Sequence, residues 1–169
     1  MTRLHSDLGE FGKAMNPDMQ VLYGRDPRHA VECQAPMLCV IDAAYGVNAA
    51  AVWLAPHLRD LCIYCGVRDK LNEQQLEKVA EIIRYEFGYL KASEMMLFFW
   101  RFKAGCYGRF YGIVDPLIIM DALRNGFVPE RNRMLEKIEK EQRDAEYQAW
   151  LDSDRITLEE YYRRKNNGQ

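Results

Sequence analysis

The chain has 169 residues, 49% of them hydrophobic and 28% charged, with a formal net charge of −2. That length buries one core, two domains would need a linker that the sequence lacks, and a charge this close to zero excludes global basic attraction to nucleic acid. Five cysteines in apolar surroundings, the lack of a signal-peptide core near the start, and the absence of any run of ~18 apolar residues point to a cytoplasmic protein with no membrane span.

Residues 1–35 carry Gly9, Gly12, Pro17, Gly24 and Pro27 with weak periodicity, so an irregular N-terminal arm is expected. From Pro36 the pattern becomes helical. Met37, Leu38, Val40, Ile41, Ala44 and Tyr45 have helical spacing up to Gly46, and Asn48 is placed to cap a second helix running to Gly66, with Pro56 as a kink or break. Asn72 caps the clearest amphipathic helix, whose stripe Leu76, Val79, Ala80, Ile83, Phe87 and Leu90 is expected to pack on the next helix.

That next helix is the centre of the chain. Ser93 is read as its cap, Glu94 suits the positive end of its dipole, and Met95 to Phe102 are apolar on nearly every side, so it needs partners on several faces. Gly105, Gly108 and Gly112 form a turn around Tyr107, Phe110 and Tyr111, and Asp115-Pro116 starts a helix that should end near Asn125-Gly126. Strand signals are missing. The expected fold is all-α, an irregular bundle of roughly five helices over 36–128, with residues 129–169 forming a solvated helical tail of mixed charge and a thin apolar seam.

Chemistry is sparse. Cys62-Ile-Tyr-Cys65 with His57 upstream resembles a fragment of a metal site, but Cys33, Cys39 and Cys106 have no complementary spacing, and two cysteines three apart on a helix also pack side by side as small hydrophobes. Redox use is the third reading. No nucleophilic motif, phosphate loop or carboxylate pair is visible, so neither a catalytic residue, a cofactor nor a metal is expected. Between Gly88 and Val114 four bases, Lys91, Arg101, Lys103 and Arg109, face a single acid, Glu94. Beside Tyr107 and Tyr111 they could meet the phosphates and bases of single-stranded DNA; the same rings at helical spacing also suit plain core, with the cations reaching past them to water.

The run Leu90-Lys-x-Ser-Glu-Met-Met-Leu-Phe-Phe, then Phe102-Lys-x-Gly-x-Tyr-Gly-x-Phe-Tyr-Gly, then Asp115-Pro and the helix toward Glu130-Arg131, resembles an uncharacterised family of small proteins encoded in bacterial chromosomes, prophages and conjugative elements. The likeness spans about residues 70–131 and implies no activity. In layout, a helical core with a charged tail, such proteins are similar to phage helicase loaders and replisome organisers. The reading is therefore a non-enzymatic adaptor of DNA replication or mobile-element maintenance that binds a protein partner by its C-terminal helix. The alternative is a structural or homo-oligomeric interaction protein without nucleic-acid contact.

Overall fold

The computed structural model describes residues 6–66, 71–108, 114–153 and 158–166. Two compact units divide the chain, Met1–Arg131 and Asn132–Gln169. Among the described residues the protein is all-helical, with one isolated bridge, Met37 to Lys91, and no strand. Its helices are α1 (Leu8–Ala14), α2 (Gln20–Arg25), α3 (Pro27–Glu32), α4 (Leu38–Tyr45), α5 (Ala49–Tyr64), α6 (Glu73–Glu86), α7 (Ala92–Lys103), α8 (Pro116–Asp121), α9 (Val128–Ser153) and α10 (Leu158–Asn166). The unit boundary falls inside α9, two residues beyond the Pro129 at which the composition changes.

The N-terminal segment is not an irregular arm. Gly9 and Gly12 lie inside α1 and Gly24 inside α2, Pro17 and Pro27 take first helical positions, and the acidic and amide residues before them cap: Asp7 accepts from the Glu10 N–H at 2.8 Å, Asn16 from Asp18 at 2.9 Å and Asp26 from His29 at 3.0 Å. Helices of six or seven residues are too short to display a period, yet capped ends satisfy the donors that would otherwise be orphaned. α2 and α3 then pack directly on α7. At the α2 crossing Gly24 is required, because a Cβ there would overlap the Trp100 indole.

α7 is the central helix, buried at every residue from Ala92 to Phe99, with α2, α3 and α5 as its partners. Within the core Phe98 meets Phe127 edge-on at 5.7 Å and Phe99 at a tilt at 5.3 Å. Each such side chain contributes about 1.5–3 kcal/mol by leaving water. α6 has the predicted cap, Asn72 and Gln75 bonding reciprocally to each other's backbone N–H, but its stripe packs on α5 and α8 instead of chiefly on α7. The reason is that short N-terminal helices already cover α7.

Several local expectations are revised. α5 runs unbroken through Pro56. Asn48 has a left-handed backbone (φ 70°) and makes no side-chain cap; Asp42 Oδ1 instead accepts from Ala50 N–H at 2.9 Å. The helix from Asp115 does not end at Gly126, since a π-helical segment, Ala122–Phe127, joins α8 to α9. Ser93 lies inside α7 and serves a different purpose. Its hydroxyl donates to Ala30 O at 2.7 Å, while Lys91 Nζ donates to Val31 O at 2.6 Å and Cys33 O at 2.9 Å, so that one turn of chain satisfies the carbonyls at the end of α3.

Glu94 completes this clasp. It is 0% exposed, accepts from the Lys91 N–H at 2.8 Å and pairs with Arg131 Nε at 2.8 Å. The start of α9 therefore belongs to the body. A chain ending at Arg131 is expected to fold cooperatively, whereas one ending at Val128 should lose roughly 3–5 kcal/mol by leaving that carboxylate without its partner. Urea unfolding of the two chains checks this; equal midpoints would show that the ion pair is dispensable.

Candidate functional site

Two of the six residues expected to contact nucleic acid, Arg109 and Tyr111, lie outside the described residues, as does Gly112 of the turn. The other four do not form a free basic, aromatic patch. Lys91 is spent on α3 carbonyls. Arg101 forms an ion pair with Glu130, and Lys103 one with Asp60, the lysine side chain being only 15% exposed. Tyr107 donates its hydroxyl to Glu130 Oε2 at 2.6 Å and stacks on Phe98 at 5.9 Å, with Gly126 beneath its ring edge, where a Cβ would lie 2.7 Å from Cδ1. Burial raises the Tyr107 phenol to about 12.

The physical reason is complementary charge elsewhere in the chain. Asp60 sits on the facing turn of α5 and Glu130 at the start of α9, both outside the stretch whose own charge balance is basic. Replacing Arg101 and Lys103 together by Gln is therefore expected to lower stability by about 1–3 kcal/mol, between the values for exposed and buried pairs. Thermal melts decide it: an unchanged melting temperature would mean that the pairs contribute nothing and that the cations are available to ligands.

Around Lys103 the structure reveals a polar chain that the sequence did not suggest. Lys103 Nζ donates to Gln20 Oε1 at 2.9 Å, the Gln20 amide N–H reaches His57 Nδ1 at 2.9 Å, and His57 Nε2 lies 3.0 Å from Met15 O. A carbonyl only accepts, so the proton is on Nε2 and Nδ1 is the acceptor. Trp53 Nε1 donates to the same Met15 oxygen at 2.9 Å. Gln20 and His57 are each 1% exposed, and the imidazole is tilted against Trp53 and stacked on Phe99. Burial pulls its pKa down to about 4, so it is neutral at physiological pH. With both ring nitrogens bonded, this neutral histidine ties α5 to Gln20 and to the Met15 carbonyl.

At the outer end of this chain Lys103, Tyr64, Cys65, Gly105 and Gly108 line an open cavity of about 380 Å³. Lys103 Nζ lies 5.7 Å from the centre of the Tyr64 ring. Cys62 is buried and Cys65 half-buried, its thiol pKa raised by burial, which makes the reactive thiolate scarcer. Among the described residues no three of His, Cys, Asp and Glu converge as a metal would require. Gly105 (φ +80°) closes α7 in a left-handed conformation and Gly108 has φ +120°, while Asp115 caps α8 by accepting from Leu117 N–H at 2.8 Å. No atom lies within 4 Å of a Cβ built on Gly105, so Gly105→Val should cost about 1–2 kcal/mol through backbone strain alone. A melt no lower than wild type would show that the turn readily adopts another conformation.

The unit Asn132–Gln169 differs in kind. Its helices are charged and solvated, yet Tyr147 and Trp150, 58% and 56% exposed, stack at 5.9 Å, and Tyr161 meets Tyr162 edge-on at 5.7 Å. The thin seam expected from the sequence, Met134, Leu135, Ile138, Ala145 and Trp150, includes one ring of this pair but not Tyr147, which joins Trp150 at i, i+3 spacing only at the end of α9.

No helix among the described residues is long and apolar enough to cross a membrane. No curated protein and no solved structure matches the chain. A family of unknown function, DUF6633, matches residues 70–169, which takes in α6, α7, the glycine turn and the whole charged C-terminal segment. The chain belongs to that family.

Proposed function

We propose that the protein is a non-enzymatic adaptor that recruits a protein partner through its C-terminal helical segment, in the setting of DNA replication or mobile-element maintenance. The observation that carries recruitment is the exposed Tyr147–Trp150 pair on an otherwise solvated, mixed-charge helix. Folding has no use for large rings held in water, whereas Trp and Tyr are the residues that anchor interfaces when a partner covers them. The setting rests on the sequence resemblance, and the non-enzymatic reading on a polar chain whose every member is already bonded. The pairing of Arg101 with Glu130 and Lys103 with Asp60 favours a module that works without nucleic acid, since phosphates would have to displace both carboxylates.

A photo-crosslinking residue placed at Trp150 of the full chain, expressed in its native host, tests recruitment. One defined protein should be captured from position 150 and none from Lys140. Capture of the protein itself alone would favour the oligomeric alternative, and no capture would remove the tail reading. Fluorescence polarisation with labelled single-stranded DNA tests the other half: no salt-sensitive binding is expected, and binding that disappears in Arg101→Gln/Lys103→Gln would restore nucleic acid as a partner.

A further inference from the structure

Cys62 and Cys65 have no part in recruitment by the C-terminal rings. Both lie on the last turn of α5, where the backbone stays right-handed helical through Cys65 (φ −64°, ψ −18°) and the Cys65 N–H bonds to Leu61 O at 3.0 Å. Residues three apart on such a turn share a face, with their β-carbons about 5–6 Å apart. Cys62 is 2% exposed and sits in the core, whereas Cys65 lines the open cavity that Lys103 borders, so one sulfur is buried and the other is reached from solution.

That spacing decides between the chemistries open to two thiols. A disulfide needs β-carbons about 3.5–4.5 Å apart, and closing one here would pull the last turn of α5 out of shape. A tetrahedral ion such as zinc needs two further ligands. Among the described residues no third His, Cys, Asp or Glu converges on the pair, His57 has both ring nitrogens bonded, and Asp60 is held by Lys103. An ion satisfied by two thiolates in line, with metal–sulfur bonds of about 2.3 Å, sets the sulfurs about 4.6 Å apart, a distance that side chains on an undistorted turn span. Among biological metals that ion is copper(I), which is soft, monovalent and selected by thiolate sulfur. We propose that Cys62 and Cys65 form a two-coordinate copper(I) site loaded through the cavity, Cys65 capturing the ion and Cys62 holding it against the core. Each thiol gives its proton to solvent and a sulfur lone pair to the metal, so two S–Cu bonds form, the ligands that carried the ion leave, and no electron is transferred. The product bears one negative charge. On the same cavity wall the Lys103 ammonium, which already favours ionisation of Cys65 against the effect of burial, offsets that charge. The site stands independently of the recruitment proposed for the C-terminal rings.

The test adds copper(I), without oxygen, to the full reduced chain in competition with the chelator bicinchoninate. One ion per chain should be retained, two protons should be released for each, and X-ray absorption should count two sulfur neighbours. Cys65→Ala, at a half-buried position that tolerates truncation, should hold copper about a hundredfold more weakly, and Cys62→Ala likewise, with circular-dichroism melts establishing that the variants remain folded. The triple variant Cys33→Ser/Cys39→Ser/Cys106→Ser should bind as wild type does, and so should Tyr147→Ala/Trp150→Ala, which tells failure of this site from failure of the tail. Complete loss of copper to the chelator, a count of three or more sulfurs, or binding that survives Cys65→Ala would overturn the proposal. So would equal affinity for zinc, or a Cys62–Cys65 disulfide found by peptide mass after exposure to glutathione disulfide, since either requires a geometry that the helical turn does not supply.

Discussion

Replacing Arg131 with methionine is expected to destabilise the protein by about 3–5 kcal/mol, as much as many domains possess in reserve. Glu94 is fully buried in α7, with one oxygen on the Lys91 N–H and the other on Arg131 Nε. Methionine fills much of the arginine's volume but returns no charge, so the carboxylate is left in an apolar interior with only its backbone bond. The measurement is a double-mutant cycle by urea unfolding, with Glu94→Leu, Arg131→Met and both together. The double variant should be more stable than the sum of the single losses predicts, because removing both charges avoids an unpaired one. Strict additivity would show that the two residues act separately and that the clasp around α7 is held by Lys91 and Ser93 alone.

Acid should weaken the fold through His57. Its folded pKa, about 4, lies below the ordinary 6.5, so between those values the unfolded chain binds the extra proton and the native state does not. Stability from this group is complete above pH 6.5 and is lost as pH falls toward 4, on the order of 3 kcal/mol in all. Burial is the main cause, and protonation would also set a new N–H against the donating amide of Gln20 and place a cation near Lys103, with Asp60 offsetting part of that repulsion. His57→Gln keeps one donor and one acceptor but does not titrate. The stability lost between pH 7 and 4.5 should be about 2–3 kcal/mol smaller in the variant than in wild type, the carboxylates being common to both. Parallel pH profiles would mean that His57 is protonated in the native state and that the polar chain tolerates the charge.

Much of the helical text was legible because it obeys local rules. The apolar run Met95–Phe102 requires a helix covered on several sides, and Asn72 with Gln75 specifies the start of α6, since a cap is decided by residues three apart. The all-α class and the solvated C-terminal helix followed from period and charge in the same way. What covers α7 was not legible. The six-residue helices α2 and α3 are stable only because α7 offers them an apolar face and Gly24 lets Trp100 close in, and such burial leaves no periodic trace in so short a stretch. The basic stretch was misjudged for a related reason. Lys91, Arg101 and Lys103 form one charged neighbourhood in sequence, but their partners, the end of α3, Glu130 and Asp60, lie far from them along the chain, and only the tertiary structure brings them within bonding distance. A charge read along the chain fixes how many counter-charges are nearby in sequence; whether it faces solvent or a carboxylate is decided by which helices fold back upon it.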